Sequence, residues 1–353
     1  MNRIENLRAL LDEQNLDGFF MTHLPNIRYF TGFSGSSAYV LFTKDKNYFI
    51  TDFRYKDQSS AEVKGYEIVI NYNFSDELAK LISDEGLKNI GVEASRMSLA
   101  SLKNLEEKNP VVKFHAVNER IEKMTMAKTP EEIASLKKAV EISDKTFSKM
   151  LEFIKPGMKE LDVAAEITYT HMKFGAQKNS FDPIVASGKR GALPHGLASD
   201  KKIEKGDMVT LDFGCIYNGF CSDVTRTVAV GEPSDEMKKI YQIVLDSQLL
   251  AIKNAKSDSS SKALDAVARD YITSKGYGDN FGHGLGHGLG IEVHEAPAVS
   301  MRNDSQLVSN SIITIEPGIY VENLGGVRIE DDVLIVNGSC EVLNKSPKEL
   351  IIL

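Results

Sequence analysis

Residues 282–295 read GHGLGHGLGIEVHE, with glycine at every second position from Gly282 to Gly290 and histidines at 283, 287 and 294. What this stretch becomes limits what the rest of the chain can be. A nucleotide-binding loop would need G-x-G-x-x-G or a Gly-Lys-Ser/Thr ending, and neither is present. A zincin helix would need H-E-x-x-H, but Ala298 stands where the second histidine belongs, and Pro297 argues against a helix there. Glycine at this density disfavours a helix throughout 282–290. The segment therefore reads as extended backbone in close approach to something. His283 and His287 are evenly spaced and share a face.

Extended histidines need partners. Residues 208–214, MVTLDFG, alternate so that Val209, Leu211 and Phe213 share one face and Thr210 and Asp212 the other. Downstream, Asn218-Gly219 between Tyr217 and Phe220 is a strong two-residue hairpin signal. That turn pairs Tyr217 with Phe220, Gly214 with Asp223 and Asp212 with Thr225. Asp212 and Asp223 become diagonal neighbours on one face, with backbones roughly 7–8 Å apart. The competing reading is two acids on a solvated sheet face, and a bulge would break the register. A second acid pair follows. Residues 312–318, IITIEPG, bury Glu316 among isoleucines, which is costly without a partner or a cation. Arg328 and Glu330 share one strand face; alone, this run also fits an edge strand with a local ion pair. Four carboxylates in one pocket would repel severely without cations. An oxygen-rich set with one imidazole suits Mn²⁺, Co²⁺ or Fe²⁺, with Zn²⁺ possible, and is unlike a Cys/His structural zinc site.

The bulk numbers fit an ordinary globular protein. The 353 residues allow about two domains. Hydrophobic residues are 42% and charged residues 26%, with net charge −8. No long basic run marks a nucleic-acid surface, and no apolar run approaches the roughly 18 residues of a membrane span. Three cysteines, Cys215, Cys221 and Cys340, give no disulfide framework and suit a reducing compartment. A cytoplasmic protein is expected.

Along the chain, the first ~120 residues alternate helical and strand-like segments, as α/β units do. Strands are expected at 18–21, 38–43, 48–51 and 89–92, and a helix around 76–83. A boundary falls near 118–129, where Thr129-Pro130-Glu131-Glu132 combines a cap, a proline at the first helical position and a capping box. Helices at about 130–155 and 159–174 precede strands to residue 230. Helices near 234–254 and 260–274 then precede strands from 281 to 336. Two helices followed by strands, twice over, suggest a pseudo-repeated α+β domain.

Taken together, Leu211-Asp212-Phe213-Gly214, Ser222-Asp223-Val224-Thr225-Arg226-Thr227, the 282–290 glycine run, Val293-His294-Glu295, Thr314-Ile315-Glu316-Pro317-Gly318-Ile319-Tyr320 and Arg328-Ile329-Glu330-Asp331 resemble the pita-bread metallopeptidases. The most similar branch is the Xaa-Pro peptidases, aminopeptidase P and prolidase. Asn26 to Phe33 and Thr51 to Tyr55 resemble that branch's N-terminal domain. The resemblance implies an α+β, pseudo-symmetric pita-bread catalytic domain at 123–353. A smaller α/β creatinase-like domain would precede it at 1–122, serving oligomerisation and substrate access. It implies two divalent ions, Mn²⁺ foremost, held by Asp212, Asp223, His287, Glu316 and Glu330, with Asp223 and Glu330 bridging. Pro194-His195-Gly196 matches a further family motif. His195 and His294 would then contact substrate and stabilise the oxyanion, and Glu316 would carry a proton to the leaving nitrogen. His283 would line the pocket, Arg328 would orient ligand carboxylates, and Tyr320 is a further candidate. Substrates would be peptides or dipeptides with proline second, and the assembly a homodimer.

Three alternatives share this fold: a methionine aminopeptidase, a metal-free amidinohydrolase and a silent binding module. The leading domain speaks against the first and the full ligand set against the others. Between aminopeptidase and dipeptidase the reading leans to the aminopeptidase, because no lid insertion is evident. A dipeptidase would need a cation for the substrate's free carboxylate, for which Arg302 and Arg54 are candidates.

Overall fold

Apolar runs build a six-stranded mixed sheet in the N-terminal part of the chain. The computed structural model describes residues 2–353, and the chain divides into two compact units after Thr125, three residues beyond the expected boundary. In the first unit, Gly18–Met21, Tyr39–Thr43 and Asn47–Thr51 pair antiparallel, with Phe20 opposite Leu41 and Leu41 opposite Tyr48. Parallel strands Glu67–Ile70, Asn89–Glu93 and Lys113–Val117 complete the sheet. Glu67–Ile70 and Lys113–Val117 were not expected. Both are edge strands and largely solvated, so no apolar alternation marks them. Glu93, at the end of its strand and buried, accepts from the Thr22 and His23 amides at 2.7 and 2.9 Å and from Asn26 Nδ2 at 2.8 Å. It thereby fixes the start of helix Leu24–Thr31.

The second unit contains the helix-pair-then-strands order twice. Helix Pro130–Phe153 opens with the Thr129–Glu132 capping box and is followed by helix Glu160–Lys173. Their apolar faces, through Phe147, Val163 and Ile167, pack on Val209, Leu211, Phe213 and Val228. Helices Asp235–Asn254 and Ser261–Ser274 repeat the arrangement, with Ile240, Val244, Leu264 and Ala268 against Ile313, Ile315, Val333 and Ile335. Each such aliphatic burial is worth about 1.5–3 kcal/mol. Strands Asp207–Phe213 and Val224–Val230 form the central ladder of the first half. Ile312–Ile315 and Asp331–Val336 form that of the second.

A buried ion network joins the halves. The Arg226 side chain is 1% exposed and donates to Asp331 Oδ1 at 2.8 Å, and to the backbone carbonyls of Thr225, Glu330, Ser346 and Pro347. Asp331 also receives Gln248 and Lys348. Breaking such a pair from one side typically costs about 3–5 kcal/mol. This network sets Thr225 and Glu330 side by side, with the Glu330 amide on the Thr225 carbonyl at 3.1 Å. No helix among the described residues is long and apolar enough to cross a membrane.

Candidate metal centre

The hairpin register brings the first two acids together. Asn218 and Gly219 have φ of 47° and 77°, the left-handed pair that a tight hairpin turn requires. Tyr217 pairs with Phe220 and Asp212 with Thr225, as expected. Between those two ladders the chain is interrupted at Gly214, where a Cβ would lie 1.8 Å from the Ser222 carbonyl oxygen. The Asp223 amide donates to Asp332 Oδ2 at 3.0 Å, so its backbone is held independently of its carboxylate.

The second half adds Glu316, Glu330 and His287. Glu316 follows Ile315 at a strand end, its amide on the Leu285 carbonyl at 2.8 Å. Glu330 Oε2 accepts from Thr225 Oγ1 at 2.6 Å. His287 lies on the short strand Gly286–Gly288. Its Nδ1 lies 3.1 Å from the Gly288 carbonyl, so Nδ1–H donates and Nε2 carries the lone pair. That lone pair faces Asp223 Oδ2 at 3.7 Å and Glu316 Oε1 at 3.5 Å.

These side chains converge on one point. One ligand atom each from Asp223, His287 and Glu330 lie within 4.8 Å of one another. Asp212 Oδ1 and Asp223 Oδ1 are buried with no hydrogen-bond partner. Burial, then the neighbouring carboxylates, pushes Asp223 and Glu330 well above the usual carboxylate range. Burial pushes Glu316 up to about 8, against the lowering effect of Arg328. Burial, with His294 nearby, brings His287 down to about 4, which keeps it neutral. Orphaned oxygens, a neutral imidazole and mutually repelling carboxylates fit a divalent cation.

A pH prediction follows from the sign of these shifts. A carboxyl whose folded pKa is raised favours the folded chain while it is protonated. Its contribution is present below its unfolded pKa and is lost as pH rises through the folded one. For Glu316 that window runs from 4.5 to about 8. The rise in melting temperature given by Mn²⁺ to chelator-stripped protein should therefore be larger at pH 8 than at pH 5.5. An equal or smaller rise at pH 8 would contradict this electrostatic account.

The site opens into a cavity of about 610 Å³, lined by all five of these residues with His195, His283, His294 and Arg328. Phe181, Ile184 and Leu197 form its apolar part. His195 and His294 are exposed in it, and the His294 ring sits edge-on to His287 at 4.4 Å. His283 is committed: Nδ1–H donates to the Gly284 carbonyl at 2.8 Å, and Nε2 accepts from Tyr320 Oη at 2.9 Å. Arg328 spans the site, donating to Asp212 Oδ2 at 2.6 Å, Thr225 Oγ1 at 3.0 Å, Tyr320 Oη at 2.8 Å and the Pro194 carbonyl at 3.2 Å. It stays charged although burial opposes this, because Tyr320 and the carboxylates outweigh that effect.

Two of the candidate residues, Tyr320 and Arg302, lie outside the cavity lining. Tyr320 does not line the cavity; its hydroxyl lies behind it, between Arg328 and His283. Arg302 is exposed and lies outside the lining, because the turn closed by the Asn303 amide on the Ser300 carbonyl carries it outward. Within 282–290, Gly286 and Gly288 give room to neighbouring backbone, while Gly284 and Gly286 also line the cavity. A Cβ on Gly286 would meet the Thr314 carbonyl oxygen at 2.0 Å, and one on Gly288 the Ala296 oxygen at 2.2 Å. Sequence reasoning did not single out Thr225 or Asp332, which hold Glu330 and Asp223. The strand alternation that aligns Thr225 with Asp223 was the available signal for the first; none marked the second.

Comparison with known proteins gives two family matches: metallopeptidase family M24 over residues 134–337, and the creatinase/prolidase N-terminal domain over residues 3–126. An Xaa-Pro dipeptidase of Pyrococcus furiosus is 39% identical over 351 residues, 99% of each chain. A solved Xaa-Pro dipeptidase from Bacillus anthracis is 47% identical with a TM-score of 0.97, covering 99% of both chains. A solved X-Pro aminopeptidase from Thermotoga maritima is 42% identical with a TM-score of 0.91, covering 96% of this chain and 98% of the other.

Proposed function

The chain belongs to metallopeptidase family M24, and we propose that it hydrolyses the bond between an N-terminal residue and proline, with Xaa-Pro dipeptides as its main substrates. The observation that carries this is end-to-end similarity to proteins named Xaa-Pro dipeptidases, at 39% and 47% identity. It reverses the preference for aminopeptidase that the lack of a lid insertion suggested.

Two divalent cations, Mn²⁺ foremost, held by Asp212, Asp223, His287, Glu316 and Glu330 would supply Lewis-acid activation of a water and of the scissile carbonyl. The remaining work falls to the chain's own groups. Asp223 and Glu330, gathered near His287, would contribute their carboxylates to holding the ions. Arg328 holds Asp212 in orientation through a charge-assisted bond. Glu316, at the cavity face with Thr314 as its side-chain donor, carries the proton to the departing nitrogen. His195 and His294, exposed in the cavity, donate to the carbonyl oxygen as negative charge develops there. The bond to proline has no N–H, so a site gripping the amino terminus, the carbonyl and the ring suits it. Phe181, Ile184 and Leu197 offer the ring an apolar wall.

The aminopeptidase reading keeps one observation in its favour. No lysine lines the cavity among the described residues, and its one arginine, Arg328, already commits four of its five N–H donors. Arg54 lies in the N-terminal unit, paired with Asp52 at 2.9 Å. A dipeptide's carboxylate would then be left to the imidazoles. Rates for Ala-Pro and Ala-Pro-Ala on Mn²⁺-loaded protein separate the two. The dipeptidase reading expects kcat/KM at least about tenfold higher for the dipeptide, since a site built for a group rejects the analogue lacking it. Equal or faster cleavage of the tripeptide makes it an aminopeptidase, and cleavage of neither ends both readings.

A further inference from the structure

Glu160 is a fully buried carboxylate that belongs to no part of the metal centre. It stands in the first turn of helix Glu160–Lys173 and receives five hydrogen bonds. Oε1 accepts from the Ser187 amide and hydroxyl, both at 2.8 Å. Oε2 accepts from Arg190 Nε at 3.0 Å and from the Ser199 amide and hydroxyl at 3.1 and 2.7 Å. These donors lie at the two ends of one loop, residues 187–199. Arg190 Nη2 closes the loop from within, donating to the Leu197 carbonyl at 2.6 Å. At its tip is Pro194-His195-Gly196.

His195 lines the cavity, is exposed, and has no side-chain hydrogen bond among the described residues. Its ring is therefore placed by the loop backbone alone. The loop's origin is already in register with the metal centre, because strand Ile184–Ser187 pairs Ile184 with Asp212. Its return is held by Ser199 on Glu160 and by a single antiparallel bridge between Leu197 and Ile184. Anchoring the helix does not require the carboxylate. Backbone bonds from the Glu160 amide to the Lys201 carbonyl at 3.0 Å, and from the Leu161 amide to the Ser199 carbonyl at 3.2 Å, already hold it.

We infer that Glu160 is a positioning residue for the reaction, its carboxylate clamping both ends of the loop that presents His195 to the substrate. This rests on the proposed contact between His195 and the substrate. A displacement of about 1 Å at such a group can cost on the order of a hundredfold in rate.

The test is a variant cycle on Mn²⁺-loaded full-length protein with an Xaa-Pro dipeptide. Arg190→Met with Ser199→Ala removes two of the five donor bonds, and the Arg190–Leu197 bond with them, but leaves the carboxylate and both backbone amides. The pair should lower kcat/KM by about tenfold or more, and Glu160→Gln by about a hundredfold, with bound Mn²⁺ unchanged. In a His195→Ala background the same pair should cost less than about twofold, because the group it positions is gone. An equal loss in both backgrounds overturns the inference, as does a lowered melting temperature with unchanged kcat/KM. Should Glu160→Gln not fold, the Arg190 and Ser199 variants still decide. If His195→Ala alone leaves kcat/KM intact, the substrate contact itself fails and the inference falls with it. A large His195→Ala effect beside inert clamp variants sinks the clamp alone.

Discussion

Asp223→Asn will abolish turnover and Mn²⁺ binding while making the metal-free protein more stable. Its carboxylate is 5% exposed, faces the His287 lone pair and lies within one ligand cluster with Glu330. Its Oδ1 has no protein partner. Asparagine keeps the size and one oxygen but removes a negative charge and aims an NH₂ group into the cluster. A loss of more than about 10³-fold in kcat/KM is expected, since it removes a group that both ions would share. The opposite sign for stability comes from the same electrostatics. Burial and the Glu330, Asp212, Asp332 and Glu316 charges all oppose ionisation of Asp223, so removing its charge relieves the folded chain when no cation is present. The Asp223 amide remains on Asp332, so the backbone has no reason to move. Chelated wild-type and variant proteins melted at pH 8 supply the check, with metal content measured after Mn²⁺ reconstitution. A variant that binds Mn²⁺ normally, or that melts well below chelated wild type, is incompatible with this view of the site.

The same opposition explains which features could be read from sequence. Asp212, Asp223, Glu316 and Glu330 stand out because each breaks a strongly apolar strand, and burying an acid demands a compensating partner. The Asn218-Gly219 turn fixes register locally, so the Asp212–Thr225 pairing follows from a few residues. The Thr129–Glu132 capping box is likewise local. What could not be read is set by distant pairing. Glu160 meets Ser187, Arg190 and Ser199 only after the helix docks on its sheet. Arg226 reaches Asp331 across the two halves, and nothing near either residue announces it. That Arg302 and Tyr320 lie outside the cavity lining could not be read for a related reason. Proximity in sequence to Ser300 and Glu316 does not say which way a turn or strand end directs the next side chain. The glycine run shows this most plainly: its spacing signals close approach, but only the fold reveals that the neighbours are Thr314 and Ala296.

Gly214→Ala will be among the most destabilising single substitutions in the chain, although it adds only one methyl group. The added Cβ would lie 1.8 Å from the Ser222 carbonyl oxygen and 2.4 Å from Ser180 Oγ. The serine hydroxyl can rotate away. The carbonyl cannot, because Ser222 is held by two bonds to Cys215: its amide donates to the Cys215 carbonyl at 2.9 Å and its Oγ accepts from the Cys215 amide at 3.0 Å. Relief requires the two strands to separate, and overpacking of this kind costs about 3 kcal/mol or more. For a unit of this size that lowers the apparent melting temperature by roughly 10 °C. The displaced segment carries Asp223 and begins one residue after Asp212's neighbour Phe213, so the ligand geometry opens as well. Mn²⁺ should restore less of the lost stability than it gives wild type. Gly282 provides the internal control. A Cβ there meets nothing within 4 Å, so Gly282→Ala should stay within roughly 0.5 kcal/mol of wild type. Melting both variants with and without Mn²⁺ tests the contrast, and a Gly214→Ala protein that melts like Gly282→Ala would show that the hairpin yields where this packing says it is rigid.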